Sequence, residues 1–319
     1  MDTSALLAFM VAFAISVGLG PFAIPYLLRL KIGQTVRDDG PESHLKKNGT
    51  PTMGGLIFLA GILVGSLITI KNHQEMVPVL IMTFGFGLIG FIDDYIKVVL
   101  KRSMGLRAWQ KFLLQCILTS LFVYYLIYIS EIELTMIIPF THGKTLDVGI
   151  LTVPLIYFVV LGTVNGANFT DGLDGLATKV TMVIAAFFAV IAVSEKSGIE
   201  PVTMAVIGAL LGFLVYNAHP AKIFMGDTGS LALGGFVVSC AYVLQMPLFI
   251  IIVAFVYLAE VLSVILQVGY FKLTHGKRIF KMAPIHHHFE LCGWEETRVV
   301  EIFTIVTVVL CVLGYIAYI

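Results

Sequence analysis

Two adjacent carboxylates and a lysine end one of the chain's apolar stretches. Asp93 and Asp94 are neighbours, and Lys97 follows Asp93 by four residues, so on a helix these two side chains face each other. Adjacent carboxylates at the edge of an apolar segment are costly unless they are paired, hydrated or bound to a metal. An ordinary interfacial charge cluster is the plain alternative, but the pattern favours a site that handles cations or phosphates.

Two further tracts combine aspartate with glycine. In Asn168-Phe-Thr-Asp171-Gly-Leu-Asp174-Gly175, three polar side chains recur at intervals of three, although the spacing and closing Glu of a calcium-binding EF-hand are absent. The second tract runs from Asn217 to Ser230. It carries Phe224 and Asp227, with glycines that expose backbone N–H groups able to bind phosphate or hold a hydrated cation. For both tracts, an aspartate that caps a helix is the alternative.

Three consecutive histidines, His286, His287 and His288, rarely serve packing. Adjacent histidines do not readily converge on one zinc ion, so recognition of phosphate or pyrophosphate fits better. Mg²⁺ prefers one or two carboxylates together with substrate phosphates, which suits the acidic tracts. Together these residues predict phosphoryl transfer.

The elements that hold these tracts are predicted to be membrane helices. The 319 residues are 58% hydrophobic and 13% charged, whereas a soluble domain has about 25% charged residues. A spanning helix needs roughly 20 apolar residues. Ten segments are candidates, of which the fifth, seventh and eighth are short: Ser4–Leu30, Met53–Ile70, Met76–Ile92, Phe112–Ile129, Ile150–Val164, Ala177–Val193, Val202–Tyr216, Leu231–Leu244, Leu248–Tyr270 and Val299–Ile319.

The basic residues fix the expected orientation. Of 20 Lys and Arg residues, all but Lys71, Lys144 and Lys196 lie in five polar segments, which also hold the tracts above. These segments are Arg29–Thr52, Asp93–Lys111, Asn165–Lys179, Asn217–Ser230 and Phe271–Arg298. Basic loops are cytoplasmic in membrane proteins, so we expect the chemistry on the cytoplasmic face and, with ten crossings, both termini outside. The formal net charge is zero, which gives no reason to expect a nucleic-acid partner.

One integral domain, residues 1–319, is the simplest organisation, because there is no tandem repeat or low-complexity linker. The first apolar segment lacks a basic region before it and is too long for a signal peptide, so we expect a retained helix. The external stretch Glu131–Gly149 has room for a small hairpin or an interfacial turn, and the sequence leaves both open. The four cysteines form no CxxC pair and are expected to pack rather than bind zinc. Glu260 lies inside an apolar segment, and the sequence assigns it no role.

Five tracts carry a family resemblance: Lys47–Gly55 (KNGTPTMGG), Asp93–Lys97 (DDYIK), Asn168–Leu176 (NFTDGLDGL), Phe224–Ser230 (FMGDTGS) and Met282–Glu290 (MAPIHHHFE). In this order they resemble the polyprenyl-phosphate N-acetylhexosamine-1-phosphate transferases. The first and last tracts are similar to the branch that uses UDP-N-acetylmuramoyl-pentapeptide (UDP-MurNAc-pentapeptide). The resemblance implies a multi-pass enzyme of the bacterial plasma membrane with its active site facing the cytoplasm. Its phospho-sugar would pass to undecaprenyl phosphate, giving lipid I and UMP, with Mg²⁺ as cofactor.

The resemblance also implies residue roles. Asp227 would bind the metal, and Asp93 and Asp94 would act beside it on the lipid phosphate or the metal. Catalysis would also involve His287. The resemblance implies four contacts with the uridine, with Phe224 stacking on its base: Asp174, Asn217, Phe224 and Gln267. Contacts with phosphates or nearby groups are implied for Lys46, Lys97, Lys111 and His287. Further substrate contacts implied are Asn168, Asp171, His286 and His288.

Several alternatives stay open at this point. A sister transferase with another UDP-N-acetylhexosamine would share most of these tracts. A transporter would also have many helices, but transporter sites lie near the bilayer midplane, whereas these acids lie at helix ends. The reaction could pass through a covalent intermediate on a carboxylate such as Asp93, or the lipid phosphate could attack directly. We favour direct attack, since that phosphate is largely ionised at neutral pH. The sequence does not decide between a monomer and a homodimer.

Overall fold

The computed structural model describes residues 3–29, 49–102, 105–130 and 132–319. These ranges contain twelve α-helices and one two-stranded sheet, so the predicted all-α integral membrane fold is confirmed. The helices are α1 (Thr3–Arg29), α2 (Gly55–Leu67), α3 (Val77–Val98), α4 (Ala108–Tyr128), α5 (Thr152–Thr170), α6 (Leu176–Glu195), α7 (Glu200–Asn217), α8 (Gly226–Val243), α9 (Ile250–Val253), α10 (Phe255–Leu273), α11 (Ile285–Leu291) and α12 (Glu296–Tyr318).

Within the described ranges, eight helical spans are long and apolar enough to cross a membrane. They contain α1, α3, α4, α5, α6, α7, α10 and α12. The other two predicted segments are also helical. One is α2, with 13 residues, and the other is α8, whose first turn carries Asp227. How many helices cross, and on which side the termini lie, stay predictions.

The ninth predicted segment, Leu248–Tyr270, is not one continuous helix. Ala254 has φ −108° and ψ 29°, outside helical geometry, and it separates the short α9 from α10. The sequence has no Pro or Gly at this position, so the prediction of an unbroken helix was wrong for want of a local signal. Beyond the break, α10 extends to Leu273.

The centre of the bundle is α8. Every residue from Thr228 to Tyr242 is buried, and the helix packs against α3 and α5. Small residues allow this close approach, because a Cβ atom added to Gly90 of α3 would lie 2.0 Å from the carbonyl oxygen of Asp227. The acidic end of α3 is thereby held against the first turn of α8.

The other end of α8 is next to a hairpin. Strand β1 (Met136–Ile137) pairs antiparallel with β2 (Thr145–Leu146), so of the two alternatives left open for the Glu131–Gly149 stretch the structure contains the hairpin. The Ile137 N–H donates to the carbonyl of Gln245, just beyond α8. Since 18 helical residues span about 27 Å, the hairpin and Asp227 lie at opposite ends of the bundle.

Candidate active site

Two carboxylates and two ammonium groups form the centre of the candidate site. The last turn of α3 brings Asp93 and Lys97, the first turn of α4 brings Lys111, and the first turn of α8 brings Asp227. Lys97 Nζ lies 2.8 Å from Oδ2 of both Asp93 and Asp227. Lys111 Nζ lies 2.9 Å from Asp227 Oδ2 and 3.5 Å from Asp93 Oδ2. Both lysines therefore bridge the same pair of carboxylates.

Both oxygens of Asp93 have donors. Oδ2 faces the lysines, while Oδ1 accepts the Leu106 N–H at 2.6 Å. The preceding Gly105 has φ +56°, and a Cβ atom there would lie 2.3 Å from Asp93 Oδ1, so only glycine fits this turn. The turn after α3 thus folds back over Asp93 and leaves its side chain 3% exposed.

Asn168, at the end of α5, fixes the other side of Asp227. Its Nδ2 donates at 2.8 Å to Asp227 Oδ1 and at 2.8 Å to the Ser230 hydroxyl. The acidic tracts that the sequence assigned to one face therefore meet in one place, although α3, α5 and α8 are far apart in sequence.

Asp94 caps α8 from a neighbouring helix. Its carboxylate accepts the Asp227 N–H at 3.2 Å, the Thr228 N–H at 2.8 Å and the Thr228 hydroxyl at 2.6 Å. These N–H groups have no partner inside their own helix, so a carboxylate here stabilises the helix start. The sequence suggested Asp227 itself as the cap, and it contains no local signal for a cap supplied by α3. Direct action of Asp94 on the lipid phosphate or the metal stays a prediction.

Asp171 directly follows α5 and lies close to the Gly226 N–H. Burial is the first cause that raises the pKa of this carboxyl well above its usual range. The nearby Asp227 and Asp94 carboxylates raise the pKa further, and the Gly226 N–H partly opposes them.

A second polar cluster joins Asp174, His219 and Glu296. The Asp174 N–H donates to Glu296 Oε1 at 2.7 Å, and Asp174 Oδ2 lies 3.1 Å from His219 Nδ1. One ligand atom from each residue lies within 4.8 Å of the others, which is compact enough to hold a metal ion. Sequence reasoning missed His219 and Glu296, because Glu296 is 122 positions from Asp174.

Two of the predicted uridine contacts hold loops together. Buried Asn217 accepts the Thr178 hydroxyl at 2.7 Å and donates to the Ile223 carbonyl at 2.9 Å. Gln267 Oε1 accepts the N–H groups of Ile279 and Phe280, both at 3.0 Å. Contacts of these side chains with a base stay predictions.

Two backbone hydrogen bonds of Phe224 join the loop before α8 to the segment before α2. Its N–H donates to the Pro51 carbonyl at 2.9 Å, and its carbonyl accepts the Gly54 N–H at 2.8 Å. Phe224 is half-buried as a residue, and the stacking of its ring on a base stays a prediction. Lys46, the remaining predicted phosphate contact, lies outside the described residues.

The three histidines of α11 face three different partners. His286 Nδ1 lies 3.1 Å from Glu260 Oε1, and the His286 side chain is 1% exposed. His287 Nδ1 lies 2.8 Å from Glu290 Oε2, and His288 Nδ1 accepts the Lys281 N–H at 3.1 Å. In this conformation His286 points into the bundle, and the half-buried His287 is the better placed to meet a ligand.

Fold and site together define an all-α integral membrane protein that gathers carboxylates, lysines and histidines at one end of its bundle.

Residues 76–245 match the model of Glycosyl transferase family 4, and residues 47–59 match Phospho-N-acetylmuramoyl-pentapeptide-transferase signature 1. Relatives named phospho-N-acetylmuramoyl-pentapeptide-transferase occur in Clostridium botulinum (strain Alaska E43 / Type E3), Clostridioides difficile (strain 630) and Acetivibrio thermocellus. Each is 51% identical. The alignments cover 99%, 97% and 97% of this chain and 97%, 96% and 94% of the relatives. The chain therefore belongs to glycosyl transferase family 4 and, within it, to the phospho-N-acetylmuramoyl-pentapeptide-transferases.

Proposed function

We propose that this protein transfers phospho-N-acetylmuramoyl-pentapeptide from its UDP-linked donor to undecaprenyl phosphate. The products are lipid I and UMP, and the reaction serves peptidoglycan synthesis. The observation that carries the proposal is the contact of Lys97 and Lys111 with both Asp93 and Asp227. Cations and carboxylates at one point suit a reaction between two phosphate-bearing substrates.

We propose that Asp227 and Asp93 hold Mg²⁺. The Lys97 ammonium already contacts one oxygen of each carboxylate, and such a place between two anions suits a cation. When bound, the ion would neutralise negative charge that develops on the transferring phosphates. Lys97 and Lys111 would then bind phosphate oxygens, as ammonium groups on flexible stems can exchange one anion for another.

We favour direct attack by the lipid phosphate. An oxygen of undecaprenyl phosphate forms a bond to the β-phosphorus of the donor, and the bond from that phosphorus to the bridging oxygen breaks as UMP leaves. The acceptor has a second pKa of about 6, so it is mostly ionised at neutral pH and needs little help from a base. Asp93 is a poor nucleophile in this geometry, because both of its oxygens accept hydrogen bonds or face ammonium groups. In this proposal Asn168 orients Asp227, and the lysines neutralise negative charge on the phosphates; none of them attacks phosphorus.

We place the protein in the bacterial plasma membrane with the site facing the cytoplasm. Apart from Lys71, Lys144 and Lys196, the described basic residues belong to the polar segments that also carry the site, and the positive-inside rule supports a cytoplasmic position for such segments. The nucleotide donor, a soluble cytoplasmic compound, then reaches the site from the aqueous side, and the lipid acceptor reaches it from the bilayer.

The deciding experiment compares UMP release by the purified protein with two donors, each supplied with undecaprenyl phosphate and the same Mg²⁺ concentration. We expect kcat/KM for UDP-MurNAc-pentapeptide to exceed that for UDP-N-acetylglucosamine by at least ~10³, or about 4 kcal/mol of differential transition-state binding. The donors share uridine, pyrophosphate and an acetamido sugar, so the lactyl-peptide arm must be read elsewhere. The loop before α11, with Lys277 and Lys281, offers cations for peptide carboxylates. Comparable rates would instead indicate a sister transferase.

A further inference from the structure

Glu260 is a buried carboxylate within the apolar helix α10. Its side chain is fully buried, and its Oε1 lies 3.1 Å from Nδ1 of His286. Within the described part of the chain, the carboxylate oxygens of Glu260 and the ring nitrogens of His286 form no hydrogen bond of good geometry, so the 3.1 Å contact between the two side chains is the polar contact that the structure gives them. An isolated carboxylate in a membrane helix is strongly destabilising. Glu260 and His286 therefore stabilise each other in their buried positions.

His286 is the anchor of α11. It is the only buried residue of this seven-residue helix, whose other side chains are partly or fully exposed. A helix this short has little stability of its own and needs tertiary contacts. The insertion of the His286 ring beside α10 provides one such contact at the very start of α11.

The loop between α5 and α6 touches the same ring. A Cβ atom added to Gly172 would lie 2.1 Å from His286 Nε2, so the ring packs directly on the glycine backbone. Gly172 lies between Asp171 and Asp174, both of which belong to the polar site described above. The His286 ring therefore joins three elements: α10, α11 and the acidic loop.

The position of His287 depends on this arrangement. Its ring centroid lies 4.1 Å from that of His286, and its Nδ1 lies 2.8 Å from Glu290 Oε2. A ring so close to a buried neighbour has its position restricted by that neighbour. We infer that Glu260 is a positioning residue: by holding His286 beside α10 and the Asp171–Asp174 loop, it seats α11 and thereby sets the position of His287. The importance of His287 for turnover rests on the proposed function.

The first test is a double-mutant cycle on the full-length purified protein with Glu260→Gln, His286→Asn and the double variant. We expect Glu260→Gln to lower kcat at least about ten-fold, which is about 1.4 kcal/mol. The double variant should be no slower than His286→Asn within about two-fold, because Glu260 acts only through that ring. Losses that simply multiply would overturn the inference.

The second test does not depend on activity. Hydrogen exchange of the amides of residues 285–291 reports how firmly α11 is seated. We expect Glu260→Gln to accelerate this exchange about ten-fold or more while leaving exchange in α8 unchanged. Tyr257→Phe is the matched control: it removes a buried hydrogen bond one turn away on α10, but that bond goes to Thr181 of α6. Exchange in α11 that is equally fast in the control would mean a general loosening and would overturn the inference.

Gly172→Ala offers a second route if Glu260→Gln does not fold. Its added Cβ atom must displace the His286 ring without touching Glu260, and Gly172 has no positive φ that would strain alanine. We expect the same loss of kcat and the same faster exchange in α11. Normal turnover and normal exchange in Gly172→Ala would contradict the inference. Absence of UMP release by the unmodified protein would instead reject the proposed function, and the exchange experiment would still decide the role of Glu260.

Discussion

We expect the proposed role of Asp227 in holding Mg²⁺ to depend on its charge more than on its shape. Its Oδ2 faces the lysines at 2.8 and 2.9 Å, and its Oδ1 accepts from Asn168. We expect Asp227→Asn to lower turnover by several orders of magnitude while the protein still purifies folded, because an amide keeps the shape but holds neither Mg²⁺ nor the lysines.

Asp147→Asn is the matched control for this substitution. Asp147 lies beyond β2, at the other end of the bundle, and accepts the nearby Gly149 N–H. Turnover by both variants is measured as UMP release over a range of Mg²⁺ concentrations. Near-normal turnover of Asp227→Asn at ordinary Mg²⁺ would remove Asp227 from the metal site.

Phe224 is expected to stack on the uridine base. The residue is half-buried, and its backbone forms hydrogen bonds with Pro51 and Gly54, a few residues before Asp227. Phe224→Ala should weaken nucleotide binding by roughly 1–3 kcal/mol, the usual contribution of a base stacked on an aromatic ring. Calorimetric titration with UDP measures the change, and Phe158→Ala, which removes an exposed ring from α5, is the control. Equal affinities in the two variants would exclude stacking on Phe224.

At the scale of elements, the start of α8 depends on a carboxylate from α3. Asp94 accepts three hydrogen bonds there, two of them from backbone N–H groups. We expect Asp94→Ala to lower the free energy of unfolding by about 1–2 kcal/mol, as lost helix caps do, and to displace Asp227 with a large loss of turnover. Thermal unfolding in detergent measures the first effect.

The adjacent carboxylate provides the comparison for this prediction. Asp93 contacts the lysines and Leu106 but makes no hydrogen bond to the backbone of α8. Asp93→Ala should therefore reduce turnover with a smaller decrease in melting temperature. Equal melting temperatures for the two variants would show that Asp94 is not the cap that the geometry indicates.

At the scale of the whole molecule, the orientation in the membrane is open to a direct test. Lys144 lies in the hairpin at one end of the bundle, and Lys277 lies in the loop before α11 at the other. We expect an impermeant thiol reagent applied to intact cells to label Lys144→Cys but not Lys277→Cys, because basic loops stay inside. Labelling of the Lys277 site, but not of the Lys144 site, would reverse the proposed topology.

Apolar composition and segment length predicted the helices well, because a membrane helix must be apolar along most of its length. The break at Ala254 escaped prediction, since no Pro or Gly marks it. The tracts around Asp93, Asn168 and Asp227 were assigned to one face from charge alone, and the structure brings them into contact. The Asp94 cap and the Glu260–His286 pair were not predictable, because each joins residues that are distant in sequence.

Because α8 is buried from Thr228 to Tyr242, the geometry of the site should depend little on the thickness of the surrounding bilayer. Helices α1, α4 and α12 expose most of their surface, and they would tilt or shift when the hydrocarbon layer becomes thicker or thinner. Helix α8 has no exposed face between Thr228 and Tyr242, so such adjustments reach it only through its neighbours. Asp227 is fixed to α3 and α5 by short polar contacts. The spacing of its partners is therefore set by protein packing and should be the same in membranes of different lipid composition.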